Sequence, residues 1–598
     1  MQDPHMNALR RSALGLVALL SLLSGCGPQT PPPGGPTVAH PLPSPCVITG
    51  EPARPGGRLT LLALNAPQTF NPLLPADSAS DEVVRLIFSG LIRMDATKQE
   101  ALPGLAESWS VTPEGKTWTF KLRAGLHWSD GQPLTASDVV FTWNAVMYNP
   151  ELNRLTYDVF RLNGKNFEVT QLDEQKVRVV TPEVFAPFLE FFGSVPVLPR
   201  HAMEREVRDG RFLSLYPPQT RPDRIVGSGP FRVKASTPGQ SVLLERNPEY
   251  WAVDAQGQRL PYLEEVLLTV TGGQPPLALF LNGPGDVYEH TRPEEFARVQ
   301  PLVGPGKFQL RDLGVGLDRD FLWFNLNTNR NAAGQALVNP AKLRWFQNKT
   351  FRQAVSCAMD RDRLVKTAYG GRALASLAFM SAENAKWNNP NVPRFGFDPA
   401  RARALLAEAG LQDRNGDGVL EDAAGNRVEF SLASNSGNPA REQAAALIIE
   451  DLQRVGVRVT FQPMDFAQLV QRINNTFDYE CALMGLGGGG VDPASQINVL
   501  KSTDPLHQWF PNQSTPATEW EARIDALMDA QMRTLDYAER KKHFDEVQTI
   551  LAEQLPMIYT VAPFHFAALR PELINLRPSV LTSYRLTWNI EQLALRQP

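Results

Sequence analysis

Cysteine is scarce: four stand in 598 residues, at Cys26, Cys46, Cys357 and Cys481. No two form a C-x-x-C pair, which excludes a zinc knuckle and a thioredoxin-type motif, and four over this length make no disulfide framework. Neither sign of charge is in surplus. Lys+Arg number 59 against Asp+Glu 63, a formal charge of −4. Nucleic-acid partners usually carry a clustered basic excess, so no nucleic acid is expected. The eight histidines are scattered without ligand spacing. No metal and no cofactor is expected. Neither G-x-S-x-G nor H-E-x-x-H occurs, and no Ser/His/Asp set stands out, which argues against a secreted hydrolase. No apolar run reaches the roughly 20 residues of a transmembrane helix.

What is present is ordinary soluble composition, 43% hydrophobic and 20% charged, in a chain long enough for about four domain-sized units. The N-terminus stands apart. Arg10-Arg11 precedes an apolar run from Ala13 to Leu23, the length of a signal-peptide core. The run ends in Leu23-Ser24-Gly25-Cys26, which resembles a bacterial lipobox. On that reading residues 1–26 are a lipoprotein signal and Cys26 is the lipid attachment point; the alternative is a plain secretory signal with a chance cysteine. Pro-rich residues 27–46 then form a semi-rigid tether, with Cys46 near its end as a free or loosely paired thiol. The protein is expected at the outer face of the cytoplasmic membrane or in the periplasm, held by lipid.

The folded part is expected to begin near Val47. Gly57–Leu64 reads as a buried strand and Asp81–Ile92 as a helix, from apolar Val83, Val84, Ile87 and Leu91. Thr117–Leu122 alternates as a strand, Ser137–Tyr148 has helical spacing, and Glu168–Val180 gives two short strands. Further helices are expected at Arg401–Ala409, Asn438–Val455, Trp520–Ala530 and Tyr537–Leu555, with a strand at Val457–Phe461. This irregular alternation predicts α/β lobes with partly parallel sheets.

Several phrases recur in order. Leu102-Pro103-Gly104-Leu105-Ala106-Glu107-Ser108-Trp109 runs on to Trp128-Ser129-Asp130-Gly131-Gln132-Pro133-Leu134-Thr135-Ala136-Ser137-Asp138-Val139. Phe70-Asn71-Pro72-Leu73, Gly227-Ser228-Gly229-Pro230-Phe231, Asn247-Pro248-Glu249-Tyr250-Trp251, Phe324-Asn325-Leu326-Asn327 and Phe351 to Arg361 accompany it. Together they resemble the family 5 extracellular solute-binding proteins, the oligopeptide, dipeptide and nickel receptors of ABC importers. The resemblance implies a two-lobed α/β fold of the periplasmic-binding-protein kind (type II, large cluster), with an extra subdomain inserted in the first lobe. Carried onto this chain, the first lobe is 47–318 plus 560–598, with 93–219 inserted, and the second lobe is 319–559. The hinge would pass Phe321–Asn327 and Ile558–Phe566. A monomer that binds a small peptide-like ligand and meets importer permease subunits is implied, not an enzyme.

In that family an Asp after a Gly-Trp pair commonly takes a peptide's ammonium. Here the run is Gly485-Leu486-Gly487-Gly488-Gly489-Gly490-Val491-Asp492-Pro493. Leu486 stands at the Trp position and Gly489 at the Asp position. Either another acid substitutes or the ligand lacks a free amine there. Asp492 is a candidate substitute, or else a cap of the following turn. Gly487, Gly488, Gly489 and Gly490 offer backbone N–H groups at close approach, or else form a surface loop. His507 and Trp509 could face the ligand or build a packed turn. Ser78 and Ser80 are candidate hydroxyl contacts, and Arg344 a candidate carboxylate partner. Asn325 is expected to fix the hinge strand. Asp413-x-Asn415-x-Asp417-Gly418 opens like a calcium loop but has Ala424 where a bidentate Glu is needed, so an Asx-rich turn is expected. The departure at Gly489 also admits a non-peptide solute, an oligosaccharide or a metal chelate.

Overall fold

A computed structural model describes residues 39–74, 77–152, 160–273, 275–283, 285–291, 293–304, 308–486, 490–570, 573–579 and 585–596. Among these, one mixed sheet of twelve strands runs through the molecule. Its strands are β1 (Arg58–Ala63), β2 (Phe231–Thr237), β3 (Ser241–Arg246), β4 (Glu265–Val270), β5 (Val287–Thr291), β6 (Gln309–Val315), β7 (Arg319–Phe324), β8 (Ala373–Ala375), β9 (Glu429–Asn435), β10 (Arg458–Met464), β11 (Cys481–Leu486) and β12 (Met557–Leu569). The order is 2-3-4-1-5-12-7-11-9-10, with β6 and β8 also paired to β12. β1 lies parallel to β4 and β5, and β9 parallel to β10 and β11. The partly parallel sheets expected from the alternation are present.

The thirteen residues of β12 join the two halves of the sheet. Its C-terminal part pairs with β6, Val315 opposite Phe564, and its N-terminal part with β7, Asp320 opposite Val561. The chain therefore crosses between Val315 and Asp320 and again between Val561 and Phe564. The first crossing comes earlier than the expected Phe321–Asn327. Phe321, Leu322, Trp323 and Phe324 are all at most 2% exposed, so this apolar run belongs inside the second half, while the crossing uses Gly316, Leu317 and Asp318.

A separate four-stranded antiparallel sheet (106–111, 117–122, 176–180, 168–171) lies within the segment read as inserted. Strict alternation puts Trp118, Phe120 and Leu122 inward and Lys121 outward. Phe188 and Phe192, one turn apart on a short helix, stack on each other at 4.8 Å, and Phe192 lies on Trp143 at 4.0 Å. This aromatic layer closes that sheet.

The recurring phrases meet in space. Ser80 to Ile87 lie on a helix that runs Ser78–Ile87, not to Ile92. It ends because Phe88 turns extended and Ser89 donates its N–H to Ser228 Oγ at 3.1 Å. A Cβ on Gly227 would stand 1.9 Å from Ile87 O, so only glycine fits there. Asn247 then binds Gly229 O (2.8 Å) and Trp251 binds Ser228 O (3.2 Å). Both phrases build the floor beneath that helix.

Residues 39–46, read from sequence as the end of the tether, are part of the folded body. His40 bonds Glu249 through Nδ1 (3.0 Å) and stacks on His127 at 4.0 Å. Cys46 is buried and its strand, Cys46–Val47, lies parallel to Ala252–Val253. Cys26 lies outside the described residues.

Candidate functional site

A small cavity of about 30 Å³, open at its mouth, lies where the two halves of the sheet meet. Leu317 and Arg319 enter it from the first crossing and Met557 and Tyr559 from β12. Phe379, Met380 and Asn384 form one wall; Gly490, Gln496 and Val499 form another.

Arg319 is its cation. The guanidinium sits 5.6 Å from the centre of the Phe379 ring and 5.3 Å from that of Tyr559. Two aromatic faces fix such a group at a partly desolvated site. Arg361 holds Tyr559 in place by donating from Nε to its carbonyl at 2.8 Å. Burial raises the Tyr559 phenol well above its ordinary value, so it stays neutral. Asp320, on the other face of the same strand, accepts from Arg441 Nη2 at 2.7 Å and from the Tyr369 hydroxyl. That pair explains the first glycine of the glycine run: a Cβ on Gly485 would lie 2.5 Å from Asp320 Oδ1.

Asn384 is fully buried and donates from Nδ2 to Val491 O at 2.9 Å. Its Oδ1 has no hydrogen-bond partner among the described residues. A buried acceptor left unmatched costs about 1–3 kcal/mol. It sits in the cavity wall as an unmatched acceptor with almost no exposed surface.

Most of the residues picked from sequence are held elsewhere. Asp492 is 7% exposed. Its carboxylate takes both Arg540 nitrogens, Nη1 at 2.6 Å and Nη2 at 2.5 Å, and the Ala494 N–H at 2.8 Å. With its oxygens so held it is a cap and a buried ion-pair partner, not an open acid. His507 and Trp509 are both wholly buried. His507 contacts Val499 O (3.0 Å) and Glu521 Oε1 (3.2 Å), and Trp509 Nε1 donates to the same oxygen at 2.9 Å. Burial would raise the Glu521 acid, but donors from His507, Gln513, Thr518 and Trp509 outweigh that and hold it below its ordinary value. This is a packed turn behind Val499. Ser80 is buried and its Oγ accepts from the N–H groups of Gln68 (2.8 Å) and Thr69 (3.2 Å); it shapes the first loop from inside. Ser78 is exposed on the first turn of its helix. Arg344 is mostly exposed, 3.7 Å from Asp422, and does not line the cavity. Asn325 donates to Phe477 O and Tyr479 O and so ties β7 down. Gly487, Gly488 and Gly489 lie outside the described residues; Gly490 lines the cavity.

The loop at Asp413 is an Asx turn. Asp413 accepts from the Gly416 and Gly418 N–H groups, and Asp417 pairs with Arg427 at 2.7 Å. His40, His127 and Glu249 bring ligating atoms within 4.8 Å of one another. The two imidazole planes lie only 11° from parallel at 4.0 Å, so their in-plane lone pairs do not converge on one ion.

Arg319, Asn384 and Tyr559 escaped sequence reasoning. The one available signal was their placement: Arg319 and Tyr559 lie on or beside the expected crossing strands.

A family model described as bacterial extracellular solute-binding proteins, family 5, matches residues 100–507. A probable ABC transporter-binding protein of Deinococcus radiodurans is 28% identical over 89% of this chain and 93% of its own length. The oligopeptide-binding protein AppA of Bacillus subtilis, solved with a nonapeptide, superposes with a TM-score of 0.64 at 24% identity, over 91% of this chain and 100% of that one. The periplasmic binding protein MelB of Agrobacterium fabrum, solved with stachyose, gives 0.66 at 21% identity, over 91% and 85%.

Proposed function

The chain belongs to the bacterial extracellular solute-binding proteins of family 5, and on that premise we propose that it is a lipid-anchored receptor that takes peptides or peptide-like solutes between its lobes and delivers them to the permease subunits of an ABC importer. The family's members are binding proteins, not enzymes. The observation that carries the peptide reading is the unmatched Asn384 Oδ1 in a cavity that also holds Arg319. A peptide presents N–H groups to an acceptor and a carboxylate to a planar cation, which arginine can bind through two parallel hydrogen bonds. Leu317, Met380, Val499 and Met557 supply apolar wall for a side chain. Hinge motion at the two crossings would open this small cavity to admit a ligand and close on it.

Native mass spectrometry of the purified protein, followed by denaturation and identification of the released molecule, tests the ligand class. A peptide is expected. A released sugar would favour the second reading, an oligosaccharide receptor, in which Asn384 and Gln496 serve hydroxyl groups as the stachyose-bound neighbour suggests; a metal chelate would also overturn the peptide. The anchor is tested separately. Cys26→Ser should move the protein from the membrane to the soluble fraction, and retention in the membrane would refute lipidation at that residue.

A further inference from the structure

With Asp492 held by Arg540, a peptide's ammonium needs a different acid. One stands beside the same glycine run. Glu190 lies on the short helix Phe188–Gly193, which belongs to the segment read as the inserted subdomain. Just before that helix the segment touches the second lobe: Ala186 N donates to Met532 O at 2.7 Å and Arg533 pairs with Glu183 at 3.0 Å. Across the same junction Lys386 Nζ donates to Gln99 O at 3.0 Å. Glu190 Oε1 stands 3.8 Å from where a Cβ on Gly490 would be, and Gly490 lines the cavity. Gly490, with Ser495 beside it at 3.3 Å from the same position, stands between the cavity and the carboxylate and carries no side chain of its own.

Glu190 is half-buried, and its carboxylate has no hydrogen bond and no ion pair among the described residues. Three charged groups face it, all from the second lobe: Asp492, Lys386 and Arg540. Arg540 is already held by Asp492 and Gln531, and Lys386 by Gln99. The carboxylate is thus set at the junction with its neighbours' hydrogen bonds directed elsewhere.

We infer that Glu190 receives the ammonium of the ligand, so that the solutes taken are peptides with a free amino end. This rests on the peptide reading above and deepens it. Burial, reinforced by the like charge of Asp492, pushes the Glu190 acid up to about 7 against the opposing Lys386 and Arg540. An arriving ammonium finds an acid that gains most from being paired.

The test uses the full chain and two probes: a pool of random nonapeptides without Lys, Arg or His, and the same pool acetylated at the amino end. Thermal shift and titration calorimetry should show the free-amine pool binding at least tenfold more tightly than the acetylated one. Glu190→Gln should abolish that preference without lowering the melting temperature of the ligand-free protein, and Glu190→Asp should restore part of it. Affinity for the free-amine pool should rise between pH 6 and 7.5 in the wild type and stay flat in Glu190→Gln. A Glu190→Gln protein that keeps the full preference overturns the assignment and leaves the peptide reading standing. No shift of the wild type by either pool overturns both.

Discussion

Replacing Asp492 by Asn separates a structural acid from a ligand-binding one. Asn keeps an oxygen for the Ala494 N–H, so the cap survives. It removes the charge that faces Arg540, a side chain only 6% exposed that also lies over the Trp387 ring at 5.0 Å. Breaking a buried pair from one side leaves an uncompensated cation, a loss of about 3–5 kcal/mol. Urea unfolding followed by tryptophan fluorescence reads this, since Trp387 reports on Arg540 directly. With a slope of about 3 kcal/mol per molar urea, the midpoint should fall by roughly 1–1.7 M. Affinity for the peptide pool should change little. Adding Arg540→Met should recover more than half of the loss, because an apolar pair of similar volume avoids the desolvation that a buried ion pair pays. A variant within about 1 kcal/mol of wild type that no longer binds peptide would refute the reasoning and make Asp492 the ligand's acid.

Gly485→Ala places a methyl carbon 2.5 Å from Asp320 Oδ1 and 2.9 Å from Arg441 Nη2; separating that pair should cost about 2–4 kcal/mol in the same assay, and a midpoint equal to wild type would refute the fit. Glu289 has its acid pushed up to about 8, first by burial and then by repulsion from Glu82. Its folded pKa exceeds the unfolded one, so its contribution is fully present below about pH 4.3, the ordinary Glu value, and is lost as pH rises through 8. Melting curves of Glu289→Gln and wild type should therefore diverge from pH 5 to 9 in favour of the variant, and parallel curves would contradict this assignment.

Local elements were readable where alternation and caps agree. Thr117–Leu122 appears as the expected alternating strand, with Trp118 and Phe120 inward, and Tyr537–Gln554 as a helix within one residue of its expected end. The helix at Ser78–Ile87 was displaced because its stop is set by Gly227 and Ser228, far along the chain, and not by a breaker within it. Of the glycine run, Gly490 lines the cavity between the two halves of the sheet. The side chains chosen around it were not open, because availability depends on distant partners. Arg540 occupies Asp492, and Glu521 occupies His507 and Trp509.

By itself the sequence determined the membership and the α/β architecture, since ordered phrases and hydrophobic period are local properties written into consecutive residues. The tertiary structure decided which polar groups are brought together. Antiparallel pairing of β7 with β12 brings Arg319 beside Tyr559, and the contacts of Ala186 with Met532 and of Glu183 with Arg533 accompany the approach of Glu190 to Gly490. Which charge meets which neighbour is chosen by packing across hundreds of residues, and a local run of sequence does not contain that information.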